Sequence, residues 1–364
     1  MSSSNPPQLP DTYKALLFKS ASTPPTIESF PSPKPEPGSV IVRPLFSWVF
    51  NYAADIFTKG NPRSYHVNFP IIGGGNAIGR VAAVSSDARS LQVGDLVTVD
   101  PIIKERDGAH LSNVRGLGFS DNGTWAELVQ VPLENALRID EVALKRNNIA
   151  IKDVGFYSQL VVAYGGLREV NLTAGETVLI TPATGNFGGA AVHVALAMGA
   201  RVVAMGRNEF ILAGLKAVAP GRIDTIVLSG SVEADMAAIA KYGPIDVFQD
   251  FSPPMVENKS HIQAGILSVR INGRVSLMGN VKDLEIPYHA VVYRGLRIQG
   301  TLMYTRDQAL DMLKLIETGT LKLGTKAGLE CKGIFELEDK EAALDFAAKE
   351  AGAGSAVYFA PNKE

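Results

Sequence analysis

Residues Thr177 to Asn208 run TVLITPATGNFGGAAVHVALAMGARVVAMGRN. A strand-length apolar run, Thr177 to Thr181, meets a glycine-rich turn. A small-residue helix over Asn186 to Met198 and a second apolar strand, Arg201 to Gly206, follow. Ala183, Gly185 and Gly188 occupy the places of G-x-G-x-x-G, alanine replacing the first glycine. In this context the turn lets backbone N–H groups approach a pyrophosphate at the positive end of the helix dipole. Thr184, Gly185, Asn186, Phe187 and Gly188 are therefore candidate dinucleotide contacts; for Phe187, packing over the cofactor and packing into the core both fit. A tight turn in a sheet that binds nothing is the alternative. An NAD-binding chain carries Asp or Glu near the end of the second strand to hold the ribose 2′-hydroxyl. Here that place reads Gly206, Arg207, Asn208. A guanidinium beside a small residue suits a 2′-phosphate, so the expected cofactor is NADP(H). Lys216 is a second, weaker candidate for that phosphate, with an exposed surface lysine as its other explanation.

Outward from this unit, strand-length runs alternate with helical stretches: Thr225 to Leu228, Asp246 to Asp250, Arg274 to Met278 and Arg297 to Gly300, with Glu209 to Val218, Glu233 to Ala240 and His261 to Ser268 between them. This is the pattern of an α/β doubly wound parallel sheet. Before about residue 147 the chain is different. Nine of the 21 prolines precede residue 38, so Met1 to Gly38 is expected to be extended, with a short strand at Tyr13 to Lys19. Val40 to Pro44, Gly79 to Val84, Leu96 to Val99 and Thr124 to Val131 then read as short strands of a partly open β-barrel. Helices at Asp307 to Thr318 and Lys340 to Lys349 precede a closing strand, Ser355 to Phe359, placed to rejoin the first domain. The expected boundaries are 1–150 for the catalytic domain, 151–303 for the cofactor domain and 304–364 for the return.

The 364 residues suffice for two domains. The net charge of −2, from 35 Lys+Arg against 37 Asp+Glu, offers no electrostatic reason to bind nucleic acid or an anionic membrane. No run approaches a membrane span, and the N-terminus lacks a secretory signal pattern. The expectation is a cytoplasmic protein whose partner is a small molecule. Cys331 is the single cysteine, which excludes an intrachain disulfide and any zinc site built from several thiolates.

Taken in order, NYAADIFTKG (Asn51 to Gly60), FPIIGGGNAIGRV (Phe69 to Val81), LQVGDLVTV (Leu91 to Val99), GTWAELVQVP (Gly123 to Pro132), the glycine turn, IDVFQD (Ile245 to Asp250), NGRVSLMGN (Asn272 to Asn280) and AVYFAP (Ala356 to Pro361) resemble the medium-chain dehydrogenase/reductase superfamily. The resemblance covers about residues 13 to 360. It implies a GroES-like catalytic domain joined to a Rossmann cofactor domain, and homodimerisation through an edge of the cofactor sheet. Zinc-dependent members carry C-x-x-D and G-H-E-x-x-G; here these read Tyr52-Ala53-Ala54-Asp55 and Gly74-Gly75-Asn76-Ala77-Ile78-Gly79. Two ligands are lost, so no metal is expected, and the chain looks like the zinc-independent quinone oxidoreductase and enoyl reductase branch. The resemblance puts Tyr52 at the former cysteine position facing the nicotinamide, and Gly279 and Thr301 on loops flanking it. Asp250 and Phe251 end the fourth strand of the cofactor sheet.

Without zinc to polarise a ketone, reduction of an activated alkene or quinone is the expected chemistry, a side-chain acid protonating the resulting anion. Tyr52 is the first candidate, its alternative being a tyrosine that fills the space left by metal. Tyr65, near the place where enoyl reductases of the superfamily use a tyrosine, is the second, although Pro62 lies closer in register. His66 is third. Asn76 is a candidate to orient substrate or the cofactor amide, or an ordinary turn residue. His193 is expected to pack within its helix, and His110, His261 and His289 lack partners at metal-ligand spacing. The alternatives are zinc-free carbonyl reduction or alcohol oxidation with NADP(H), as in secondary metabolism, and a catalytically silent dinucleotide-binding protein.

Overall fold

A computed structural model describes residues 9–104, 106 and 115–364. The chain forms two compact units. The first comprises Met1–Ser158, Glu330–Ala351 and Ser355–Glu364, the second Gln159–Leu329 and Gly352–Gly354. The segment expected to return from residue 304 thus stays with the second unit through Leu329, because the helix at Arg306–Glu317 buries Ala309, Met312, Leu313 and Ile316 there.

The first unit is built from β1 (Thr12–Phe18), β2 (Thr26–Pro31), β3 (Ser39–Trp48), helix α1 (Ala53–Phe57), β4 (Ile71–Ile72), β5 (Ala77–Val84), β6 (Leu96–Val99), β7 (Ile102–Ile103), β8 (Arg115–Gly116), β9 (Val129–Pro132), β10 (Ala136–Arg138) and α2 (Glu141–Arg146). One sheet runs β2-β1-β4; a larger one begins β10-β6-β5-β3, with β9 also on β3. Alternate residues of three strands, Val40 and Val42, Val97 and Val99, Val129 and Val131, fill one core. That is the period of two that a half-buried strand requires. β3 carries irregularities at Ile41/Val42 and Pro44/Phe46, where its proline is accommodated. Two sequence expectations differ here. The proline-rich start contains β2, laddered antiparallel on β1. Residues 124–128 are not part of the strand expected at Thr124 to Val131: they touch β1 through the single bridge Ala15↔Ala126, because Trp125 turns its wholly buried ring into an aromatic cluster.

The second unit contains α3 (Tyr157–Glu169, its first two residues in the first unit), β11 (Thr177–Thr181), α4 (Asn186–Ala197), β12 (Arg201–Gly206), α5 (Glu209–Val218), β13 (Ile223–Val227), α6 (Val232–Ala240), β14 (Ile245–Asp250), α7 (Ser260–Ser268), β15 (Val269–Leu277), α8 (Tyr288–Arg294), β16 (Arg297–Gly300) and α9 (Arg306–Glu317). Its strands pair in parallel in the order β13-β12-β11-β14-β15-β16. The order reverses between β11 and β14, and an open α/β sheet binds its ligand outside the C-terminal strand ends at such a switch point. The chain then re-enters the first unit with β17 (Glu330–Phe335), α10 (Lys340–Glu350) and β18 (Ser355–Phe359); β18 lies parallel to β17 and antiparallel to β3. No helix among the described residues is long and apolar enough to cross a membrane.

Candidate active site and cofactor cradle

At the switch point the glycine turn joins β11 to α4. Gly185 is the N-cap of α4, and no side-chain hydrogen bond from it caps the helix; a helix N-terminus at this place suits an anion. A Cβ at Gly188 would collide with the Pro182 carbonyl oxygen; only glycine permits that approach of helix to strand. Asn186 is buried as the first residue of α4, and Phe187 stacks on Phe251, 6.4 Å between centroids. At the end of β12, a Cβ on Gly206 would stand 2.5 Å from Thr184 Cγ2. A side chain at this position would therefore have to displace Thr184. Arg207 is exposed and lines a concavity of about 740 Å³ with Thr184, Asn208, Glu209, Phe210 and Ile211. Asn208 caps α5, its Oδ1 accepting from Ile211 N at 3.1 Å. Lys216 lies exposed in the last turn of α5, outside that concavity.

The other strand ends supply the remaining candidates. Thr301 N donates to the Leu277 carbonyl at 3.1 Å, while its buried hydroxyl has no hydrogen-bond partner among the described residues; the same holds for the Thr181 hydroxyl. Buried unpaired hydroxyls at C-terminal strand ends fit a bound polar ligand. Gly279 sits in a loop tied to the β14 end by Met278 N to Asp250 O, 3.1 Å, and Asn280 N to Ser252 O, 3.0 Å. Asp250 is buried, and burial pushes its carboxyl up to about 6 against the hydrogen bonds from Ser252. The Ser252 hydroxyl lies 2.5 Å from Asp250 Oδ1 and 2.8 Å from His261 Nε2. With Asp250 ionised, Ser252 donates to it, and His261 Nε2–H then donates to Ser252.

In the first unit, Tyr52 immediately precedes α1, whose Ala53, Ala54, Ile56 and Phe57 are buried. Its ring packs on Phe50 (4.7 Å) and stacks on Tyr65 (6.1 Å, 12°), which also meets Phe119 (5.8 Å). Tyr65 is held by Asn61, in the left-handed conformation at φ 57, which donates to Tyr65 O at 2.6 Å and accepts from Tyr65 N at 3.1 Å. The Arg63 guanidinium lies 4.7 Å over the Tyr52 ring and is anchored to Asp55 Oδ2 at 3.0 Å. Burial drives the Tyr52 phenol well above its ordinary pKa, Tyr65 adds to the rise and Arg63 opposes it. Tyr52 is thus fully protonated at neutral pH.

The structure brings Tyr52 and Tyr65 together. Asn76 is buried, its amide donating to Thr98 Oγ1 (3.1 Å) and Val99 O (2.7 Å). His66 is exposed, and His289 is exposed and stacked on Tyr293. His193 is buried in α4 and burial lowers its pKa to about 4. His110 lies outside the described residues. Among the described residues no group of three or more His, Cys, Asp or Glu is placed to hold a metal ion. Arg63 and the Asp250–Ser252–His261 chain had no signal in the sequence, since neither follows a spacing rule.

Residues 36–141 match the family described as "Alcohol dehydrogenase GroES-like domain" and residues 187–318 the one described as "Zinc-binding dehydrogenase". "Alcohol dehydrogenase 1" of Caenorhabditis elegans is 23% identical over 329 residues, covering 87% of this chain and 90% of its own. "Acryloyl-coenzyme A reductase" of Metallosphaera sedula is 26% identical over 323 residues, covering 85% and 90%. The structure of 2R,3R-butanediol dehydrogenase from Bacillus subtilis aligns with a TM-score of 0.79 at 21% identity, over 96% of this chain and 100% of that one; at this identity the likeness is one of fold.

Proposed function

We propose that this chain, whose GroES-like and Rossmann units match the two families over residues 36–141 and 187–318, is an NAD(P)(H)-dependent oxidoreductase of the medium-chain dehydrogenase/reductase fold, and within it a zinc-independent, NADPH-dependent reductase of conjugated carbonyls (enones or enoyl compounds) or quinones. The observation that carries this is the pair of stacked phenols at Tyr52 and Tyr65. Tyr52 occupies the place where zinc-dependent relatives of the superfamily have their cysteine, and Gly75 that of their histidine. A phenol and a hydrogen atom are not zinc ligands. The name of the acryloyl-coenzyme A reductase relative points the same way, because acryloyl thioesters are conjugated carbonyls.

When bound, the reduced nicotinamide supplies a hydride to an electrophilic carbon of the substrate. Tyr52, protonated and half-buried, gives its proton to the anion that results, and solvent restores it. Thr184, Gly185, Asn186, Phe187 and Gly188 form the phosphate cradle. Arg207, with Asn208 beside it, takes the 2′-phosphate in the concavity next to Gly206; Lys216, outside the lining of that concavity, is the weaker second candidate. The orphaned Thr301 hydroxyl and the Gly279 backbone bind the cofactor amide. Asn76 positions the barrel wall through Thr98 and Val99. We place the enzyme in the cytoplasm as a homodimer joined through β16, beside which Tyr288, Val292, Tyr293 and Leu302 are all more than half exposed.

Turnover of NADPH with enones, quinones and ketones tests the proposal, with Tyr52→Phe as the discriminating variant. A kcat loss of about 10²-fold at unchanged NADPH affinity is expected for a general acid. Turnover of ketones alone overturns the choice of substrate, and an unchanged kcat removes Tyr52 from the chemistry.

A further inference from the structure

We infer that Arg63 is the oxyanion-binding cation of this site: its guanidinium, lying over the Tyr52 ring, holds the oxygen on which negative charge develops when a conjugated carbonyl or quinone is reduced. The inference rests on the reductase reading of the preceding subsection.

Asp55 engages Arg63 through Nε alone, at 3.0 Å. Among the described residues the two Nη groups meet no other hydrogen-bond partner, so the end of the fork is open. Its plane is held by two contacts at once, the carboxylate at one edge and the Tyr52 ring 4.7 Å away. A guanidinium presents donors at several edges and stays charged at any working pH. Its side chain is one-fifth exposed, and a partly desolvated cation acts on a nearby charge more strongly than one in bulk water. Asp55 balances the cation when no substrate is present, so the site need not bury a net charge.

The chemistry asks for such a group. Hydride addition to the β-carbon pushes the C=C electron pair onto the carbonyl oxygen, giving an enolate; in a quinone the pair reaches the distal oxygen. NADPH is oxidised to NADP+, the Tyr52 proton goes to the α-carbon or to the hydroquinone oxygen, and solvent returns a proton to Tyr52. Zinc-dependent relatives stabilise the oxygen with metal. Here a fixed guanidinium does so, and it also eases the loss of the Tyr52 proton by facing the phenolate that forms.

A merely structural Arg63 would tie residues 55 to 63 together and no more. The two roles are separated by 2,4-dinitrophenolate, an enolate mimic, and 1,3-dinitrobenzene, its uncharged analogue, titrated into the full-length protein with and without NADP+. Wild type is expected to prefer the phenolate, and Arg63→Gln to weaken it by about tenfold or more, as for loss of a charge-assisted hydrogen bond. Arg63→Lys keeps most of the preference, and dinitrobenzene binds all three alike. With a turned-over substrate, Arg63→Gln lowers kcat by about 10²- to 10³-fold, the usual effect of removing one oxyanion donor, with NADPH affinity unchanged. Equal phenolate affinity in wild type and Arg63→Gln, or no preference for phenolate in wild type, overturns the inference. Parallel NADPH titration and substrate turnover report on the reductase reading separately: phenolate binding lost only in Arg63→Gln supports the anion site even where no substrate is reduced, and then it is the reductase reading that fails.

Discussion

His193 and Asp250 are buried in the same unit and titrate in opposing senses over the same pH range. Burial holds His193 near pKa 4, against 6.5 when free, so between those values the unfolded chain binds more protons and stability rises with pH. Burial holds Asp250 near 6, against 3.8 when free, so there the folded chain binds more protons and stability falls as pH rises. Integrated from pH 4 to pH 6, each contributes a change of about 2 kcal/mol, with opposite sign. Their sum is near zero in the wild type. His193→Gln removes the rising component, so its stability relative to wild type falls by about 2 kcal/mol over this range, whereas that of Asp250→Asn rises by about as much. Urea unfolding followed by far-ultraviolet circular dichroism at half-unit pH steps measures the difference curves, in which titrating groups remote from the substituted side chain cancel. Difference curves flat within about 0.5 kcal/mol, inside the error of extrapolation, would refute the opposing burials.

Arg207→Ala is expected to weaken NADPH binding by about 10- to 100-fold while leaving NADH nearly unchanged, measured by calorimetry, because the lost contact is a charge-assisted one to the 2′-phosphate alone. Gly206→Asp does not convert the protein to a tight NADH binder, since its Cβ must displace Thr184; thermal melting shows it destabilised by about 1 to 3 kcal/mol, the usual effect of overpacking. If the proposed homodimer forms through β16, Val292→Asp with Leu302→Asp is expected to give a monomer in sedimentation experiments with far-ultraviolet dichroism unaltered; a wild-type monomer overturns the proposed assembly.

The cofactor unit was legible because its elements obey local rules. β11, β12 and β16 are found at the residues expected, the first two as short apolar runs bounded by turn residues, and α5 likewise, with Asn208 as its cap. Helix α3 was not legible. It is buried on nearly every side, so no amphipathic period marks it, and Gly165 and Gly166 within it read as breakers. They are there because a Cβ on the first would meet the Met303 carbonyl and on the second the Met278 sulfur. β2 was hidden by prolines, which sit at its edges: Pro24 and Pro25 precede it and Pro31 ends it. In the site, Tyr52 and Tyr65 were visible as residue types, but their stacking depends on the left-handed turn at Asn61, and the contact of Arg63 with Tyr52 spans a loop that has no period to read.

NADPH-dependent reduction without zinc is tested most directly by NADPH consumption by chelator-treated protein with a conjugated enone and a quinone, NADH and a saturated ketone serving as controls. NADPH oxidation is expected with the enone or the quinone, little with NADH, and no gain on adding zinc. Activity that appears only with added zinc, or with the saturated ketone alone, would contradict it.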